Sequence, residues 1–196
     1  YCALPYYLLQ RKLTETGPLR RIPVVVNAHS PDFIIREHNE EPRYQLPHYW
    51  TGRLEKFCLH AADDVICPSG YLTRQLKELF GNSIEVTHFP LPWTDPGVLA
   101  VDDSPEPRTA LYFGRLEVRK GTLKLVNSCA RMWEQGSDFT LHLIGSDTRY
   151  FPRACSVGDW IREKHASWIS KGRLVIRDSM PHADLMGEIR KAAFTL

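Results

Sequence analysis

Two groups of residues in this sequence have the types and spacing to do chemistry. The first is Gly114-Arg115 with Lys120-Gly121, inside the string Thr109 to Lys124, TALYFGRLEVRKGTLK. Ala110 to Phe113 reads as a short buried strand and Gly114 breaks it. Lys120-Gly121-Thr122 then opens an amphipathic helix with Leu123, Val126 and Ala130 on one face. A strand that empties into a glycine turn beneath a helix start gathers free backbone N–H groups and the positive end of the helix dipole at one point, and that point favours an anion. Arg115 and Lys120 add two fixed charges there. The alternative is a surface loop whose basic side chains are merely solvated. The second group is His29 and its neighbours Asn27 to Asp32, directly after the β-branched run Ile22 to Val26. In open α/β sheets the carboxyl edge of the strands is where ligands sit. Gly145 closes the run Leu141 to Ile144, where an ordinary turn glycine would stand.

The elements that must position these residues follow from periodicity. Tyr6 to Glu15 has a helical pattern stopped by Gly17-Pro18, and Ile22 to Val26 reads as a strand covered on both faces. A polar, proline-containing segment runs to about Pro47. Trp50 to Ala62 is a helix with Leu54, Phe57, Cys58 and Ala61 facing inward. Asp64 to Cys67 is a short strand, Ser69 caps a helix ending at Gly81, and Ile84 to Phe89 is another strand. Beyond the linker come strand 110–113, helix 122–135, strand 140–144, helix 157–170, strand 173–176 and helix 183–193. Strands alternating with helices imply parallel sheets with right-handed crossovers. The expected fold is α/β, with two Rossmann-like parallel-sheet units around a cleft. The proline-rich, acidic stretch Pro90 to Arg108 resists helix and sheet, which places one domain at 1–98, a linker at 99–108 and a second domain at 109–196.

Other residues invite blander readings. Asp32 fits an Asx-type turn with Pro31 better than a partner for His29. Asp63 and Asp64 are adjacent, so on a strand they point to opposite faces, and a capping role is preferred to a metal pair. Tyr150, Phe151, Trp160 and Trp168 could stack on a base, yet such aromatics are more commonly core.

Composition excludes several classes. At 196 residues, with 25 Lys plus Arg against 23 Asp plus Glu, the net charge of +2 argues against a dedicated nucleic-acid binder. The 5 cysteines form no C-x-x-C pair, which fits reduced thiols in a cytoplasmic protein and makes a zinc site improbable. No run approaches the length of a membrane span. There is no G-x-G-x-x-G after a strand, no G-x-x-x-x-G-K-[ST], no G-x-S-x-G and no H-x-x-x-H, so a dinucleotide cofactor, a phosphate-loop NTPase, a serine elbow and a helical zinc site all lack their signatures.

The string Phe-Gly-Arg-Leu-Glu-x-Arg-Lys-Gly at 113–121 resembles the donor-site loop of retaining GT-B fold glycosyltransferases of the group 1, family 4 type. The resemblance implies that Arg115 and Lys120 hold the diphosphate of a nucleotide sugar and that Gly114 and Gly145 approach the donor. It also implies that His29, the loop histidine after a hydrophobic strand, contacts the donor sugar and its phosphate as the catalytic residue. Residues 1–98 then correspond to the later part of an acceptor-side domain and 109–196 to the earlier part of a donor-binding domain, both incomplete. The implied reaction moves a sugar from a nucleoside-diphosphate sugar to a sugar, lipid or small-molecule acceptor with retention of configuration. It needs no metal and no cofactor, and peripheral membrane contact stays open. The family's paired-glutamate segment is expected after Leu196 and its first glycine-rich loop before Tyr1, so the 196-residue piece by itself is expected to be inactive and to bind donor weakly. Two rival readings keep the same cleft: a non-catalytic nucleotide-binding module, and a GT-B nucleotide-sugar epimerase or phosphorylase.

Overall fold

The structure, a computed structural model, describes residues 3–42, 46–92 and 106–196. The chain divides into two compact units, one of residues 1–37 and 42–95 and one of residues 38–41 and 96–196. Each is a parallel sheet with helices.

The first unit contains helix α1 (Leu4–Thr14), strand β1 (Val25–Asn27), helices α2 (Asp32–His38) and α3 (Leu46–Ala61), strand β2 (Asp64–Cys67), helix α4 (Gly70–Phe80) and strand β3 (Val86–His88). The strands lie in the order β1-β2-β3, all parallel, with Val26 opposite Val65 and Ile66 opposite Thr87. Leu59, Val65, Cys67, Leu72, Leu76 and Val86 form the core beneath them. Ser69 caps α4 as expected, its Oγ accepting the Leu72 N–H at 3.2 Å. The run Ile22 to Val26 departs from expectation. Only Val25–Asn27 pairs, Val25 is 55% exposed, and β1 is the outer strand of this sheet among the described residues. The segment after it is not simply polar loop either. Phe33 and Ile34 pack on the core of this unit, so α2 forms there. Its amino end is capped from a distance: the Glu55 carboxylate of α3 accepts the Asp32 and Phe33 N–H groups at 3.1 and 3.2 Å. In α3, Leu54 is 48% exposed, and Leu59 takes the inward place that periodicity assigned to it.

The second unit begins on strand β4 (Glu106–Phe113) and continues through helix α5 (Thr122–Glu134), strand β5 (Thr140–Ile144) and a hairpin of β6 (Arg149–Tyr150) and β7 (Cys155–Ser156). Helices α6 (Val157–Lys164) and α7 (Ala166–Ser170), strand β8 (Leu174–Arg177), helix α8 (His182–Lys191) and strand β9 (Ala192–Thr195) complete it. The sheet order is β8-β5-β4-β9, all parallel. Because β4 starts at Glu106, the last residues of the expected 99–108 linker stand in the strand. The rest of that linker, like much of Pro90 to Arg108, lies outside the described residues. The expected helix 157–170 is two helices, broken at His165, whose φ and ψ of −114° and 25° leave the helical basin.

The core of this unit is built from Tyr112, Leu116, Val126, Trp133, Leu141 and Ile161, among others. Tyr150, Trp160 and Trp168 resolve as packing, whereas Phe151 lies against the Arg149 guanidinium at 5.4 Å. Trp168 stands 5.3 Å from Trp133 and Tyr150 stands 5.7 Å from Trp160, and all are packed on this core.

Candidate functional site

The carboxyl edge of the second sheet holds two adjacent loops. One leaves β4 at Gly114 and enters α5 at Thr122; the other leaves β5 at Gly145. They are stitched together by the backbone: Gly114 N–H donates to the Ile144 carbonyl at 3.0 Å and Leu116 N–H to the Ser146 carbonyl at 2.9 Å. Thr148 Oγ1 donates to the Leu116 carbonyl as well. The approach is so close that a Cβ on Gly145 would stand 1.8 Å from the Gly114 carbonyl oxygen. Gly145 is thus required by the joining of two strand ends, and the turn reading accounts for it without a ligand. Gly114 has φ of 140° and Gly121 φ of 75°, both in the region glycine tolerates best.

Tyr112 fixes the start of the helix. Its hydroxyl donates to the Arg115 carbonyl at 2.8 Å and accepts from Thr122 Oγ1 at 3.2 Å, with both side chains buried. One phenol therefore ties the arginine's backbone to the amino end of α5. Sequence reading missed this pair; the available signal is that a buried tyrosine hydroxyl needs a partner.

The charges are arranged less simply than two free cations. Glu117, with its side chain 3% exposed, lies between Arg115 Nη1 at 3.0 Å and Arg119 Nη2 at 2.8 Å. Lys120 is exposed and has no ion-pair partner among the described residues. Two arginines on one buried carboxylate, with the unpaired Lys120 next in the same loop, leave a positive excess there, and Glu117 holds the Arg115 guanidinium in place. On the neighbouring loop, Asp147 Oδ1 accepts the Thr148 and Gly158 N–H groups at 2.8 Å each, anchoring that loop to α6.

In the first unit, His29 is exposed at the carboxyl end of β1 and lines a cavity of about 670 Å³. Leu4 and Leu9 of α1, Val26 and Ala28 of the strand end, and Leu54 and Phe57 of α3 supply apolar walls. Asn27, Ser30 and Glu55 also reach it. Both Glu55 oxygens are engaged by the α2 cap, and burial, outweighing those hydrogen bonds, pushes its carboxyl above the usual value. Asp32 does not serve an Asx turn: it heads α2, where its carboxylate pairs with Arg36 one turn on.

Asp63 is not a cap. It takes Arg11 in a two-pronged pair at 2.7 Å per bond and accepts the Val24 N–H at 2.7 Å, tying α1 to the strand entry. Its carboxyl is held below the usual range, chiefly by the Arg11 hydrogen bond. Asp64 accepts from its neighbour Val65 N–H instead, so the two carboxylates part as the strand geometry requires.

Of the candidate residues, then, Gly114, Arg115, Lys120 and Gly145 share one edge of the second sheet, and His29 stands at the equivalent edge of the first. No cluster of metal-ligating side chains occurs among the described residues, and no described helix is long and apolar enough to cross a membrane. Cys58, Cys67, Cys129 and Cys155 are free thiols.

Comparisons with known proteins bear on the fold. Residues 3–90 match the Glycosyltransferase Family 4 family. Among solved structures, the chain is similar to an alpha-glucosyltransferase in complex with UDP, at 13% identity and a TM-score of 0.50, covering 97% of this chain and 49% of that one. It is likewise similar to an alpha-glucosyltransferase in complex with UDP and a 13-mer DNA containing a central A:G mismatch. That match has 14% identity and a TM-score of 0.50 over 98% of this chain and 47% of the other. The chain spans about half the length of these structures. No curated protein sequence matches it. Residues 3–90 therefore resemble the Glycosyltransferase Family 4 model, and the chain as a whole shares the fold of these two solved structures.

Proposed function

We propose that this chain belongs to an enzyme that moves a sugar from a nucleoside-diphosphate sugar to an acceptor with retention at the anomeric carbon. The observation that supports the reading is the second-unit edge, where the loop carrying Arg115 and Lys120 leads into the amino end of α5 and Tyr112 ties the Arg115 backbone to Thr122. The difficulty of the reaction is the departing diphosphate, which gathers negative charge as the bond from the anomeric carbon to the β-phosphate oxygen stretches. Fixed positive groups that meet this charge lower the barrier. A unit pair at 4 Å attracts by roughly 4 kcal/mol at an effective dielectric of 20, before desolvation.

The electron pair of the breaking bond leaves on the diphosphate. The acceptor hydroxyl oxygen bonds to the same face of the carbon, and its proton goes to the departing phosphate oxygen. His29 binds the sugar and phosphate at the first-unit edge. No cofactor is required, since the nucleotide sugar is the substrate, and Arg115 with Lys120 takes the part a metal ion plays elsewhere. The acceptor is a sugar, lipid or small molecule; a net charge of +2 gives little for the DNA of one structural neighbour to hold. The free cysteines fit a reducing, cytoplasmic setting.

The test is a panel of nucleoside diphosphates titrated into the isotopically labelled chain. Saturable shifts at the amides of residues 114–124 and 145–148 are expected for at least one member. Shifts confined to other residues, or none, would overturn the reading. In the intact enzyme, His29→Ala should abolish transfer while donor binding persists, which a mere binding module would not show.

A further inference from the structure

We propose that Glu117 is a positioning residue for the diphosphate: its buried carboxylate presents the Arg115 guanidinium, so that a negative charge strengthens the binding of an anion. The inference rests on the reading that Arg115 and Lys120 hold a diphosphate, and it adds a residue to that site. Arg115 is the exposed member of the pair, with its side chain 57% exposed against 3% for Glu117. An exposed arginine samples many rotamers, and a ligand that has to order it binds more weakly for doing so. Here the order is present before any ligand arrives. The Tyr112 hydroxyl holds the Arg115 carbonyl at 2.8 Å and Glu117 Oε1 holds Nη1 at 3.0 Å, so the residue is fixed at both ends.

The far side of the carboxylate is secured as well. Glu117 Oε2 accepts from Arg119 Nη2 at 2.8 Å, and the Arg119 N–H donates to Asn39 Oδ1 at 3.1 Å. Asn39 lies in the segment 38–41 that belongs to this unit. Exposed ion pairs hold weakly because water and salt compete for both partners, whereas a carboxylate this shielded from water keeps its partner better. Removing the charge separates two effects. Through-space electrostatics alone makes Glu117 a hindrance to an anion, since its loss leaves two arginines uncompensated. Positioning has the opposite sign. The carboxylate is already met by two guanidinium groups, so little repulsion is left to relieve, while the orientation of Arg115 is lost outright.

The experiment titrates pyrophosphate, UDP and ADP separately into the labelled chain and into its Glu117→Gln, Glu117→Asp, Arg115→Ala and Arg115→Ala, Glu117→Gln variants, each checked for native circular dichroism. Amide shifts at residues 114–124 locate the site. Glu117→Gln should weaken the tightest-binding probe by about fivefold, the size set by ordering one rotamer-rich side chain. Glu117→Asp keeps the charge but draws it back by one methylene, and it should weaken binding too. In the Arg115→Ala background Glu117→Gln should change nothing, because no guanidinium is left to orient, whereas a merely structural effect would persist there. The Arg115 Nε–Hε resonance, assigned by its absence from Arg115→Ala, should report restricted motion in the parent and fast motion in Glu117→Gln. Parent-like or tighter binding in either folded Glu117 variant overturns the proposal, as does a loss that survives in the Arg115→Ala background. If neither Glu117 variant folds, the resonance in the parent decides: fast motion overturns the proposal and restricted motion supports it. If no probe shifts the amides of residues 114–124 in the parent, the diphosphate reading falls and this inference with it. Shifts there that Glu117→Gln leaves intact overturn the role of Glu117 alone.

Discussion

At the scale of single residues, the site depends on contacts that hold the cations as much as on the cations themselves. Tyr112 serves two partners through one buried hydroxyl, so Tyr112→Phe should leave the Arg115 carbonyl and the Thr122 hydroxyl short of a bond. The expected cost is about 1–2 kcal/mol in urea unfolding, accompanied by weaker nucleotide binding. Gly145→Ala is more severe, because its methyl group has a backbone carbonyl and not a flexible side chain in its way. Loss of about 3 kcal/mol or failure to fold is expected, and wild-type stability in thermal unfolding would contradict that close approach. The strings carrying Arg115 and Lys120 were legible because glycine, charge and helix start occur together in sequence. Tyr112, Glu117 and Asp147 were not, since their partners come from folding: a phenol in a strand says nothing of which carbonyl it will meet.

At the scale of elements, the errors and successes have one source. Local signals placed β2, α4, α5 and β5 well, because their caps and alternation are written within each segment. Helix α2 escaped because its cap is supplied by Glu55, far away on α3, and no local pattern carries that information. Strand β1 read as buried because β-branched runs describe a residue's propensity and not its strand's place in the sheet.

The break at His165 has a titratable consequence. That ring is 5% exposed and its Nε2 has no partner among the described residues. Burial lowers its pKa, Lys164 lowers it further, and Glu134 acts in the opposite sense. A histidine with a depressed folded pKa stabilises above its unfolded value and loses that contribution as pH falls. Unfolding free energy should therefore decline as pH drops below about 6.5, and His165→Phe should flatten that part of the profile. An unchanged slope in the variant would assign the decline to other groups. Asp63 behaves as a depressed carboxylate, with stability present above its unfolded pKa and lost as pH falls through the folded one. Asp63→Asn should therefore destabilise at neutral pH and become indistinguishable from the parent in strong acid, as read by urea unfolding at each pH.

At the scale of the whole molecule, two parallel-sheet units each present the carboxyl ends of their strands as a place for ligands. One edge is cationic and tightly laced; the other opens on an apolar cavity with a histidine. Alternation of strand and helix made the two-unit plan readable in advance, whereas the cavity could not be foreseen, because its walls come from α1, the β1 end and α3, which only the fold brings together.

The most direct measurement is calorimetric titration of the best-binding nucleoside diphosphate into the chain and into the Arg115→Ala, Lys120→Ala double variant. Removing two charge-assisted contacts should weaken binding by about 100-fold, roughly 2.7 kcal/mol, with folding retained. Equal affinity in parent and double variant would contradict the claim that this edge holds the diphosphate.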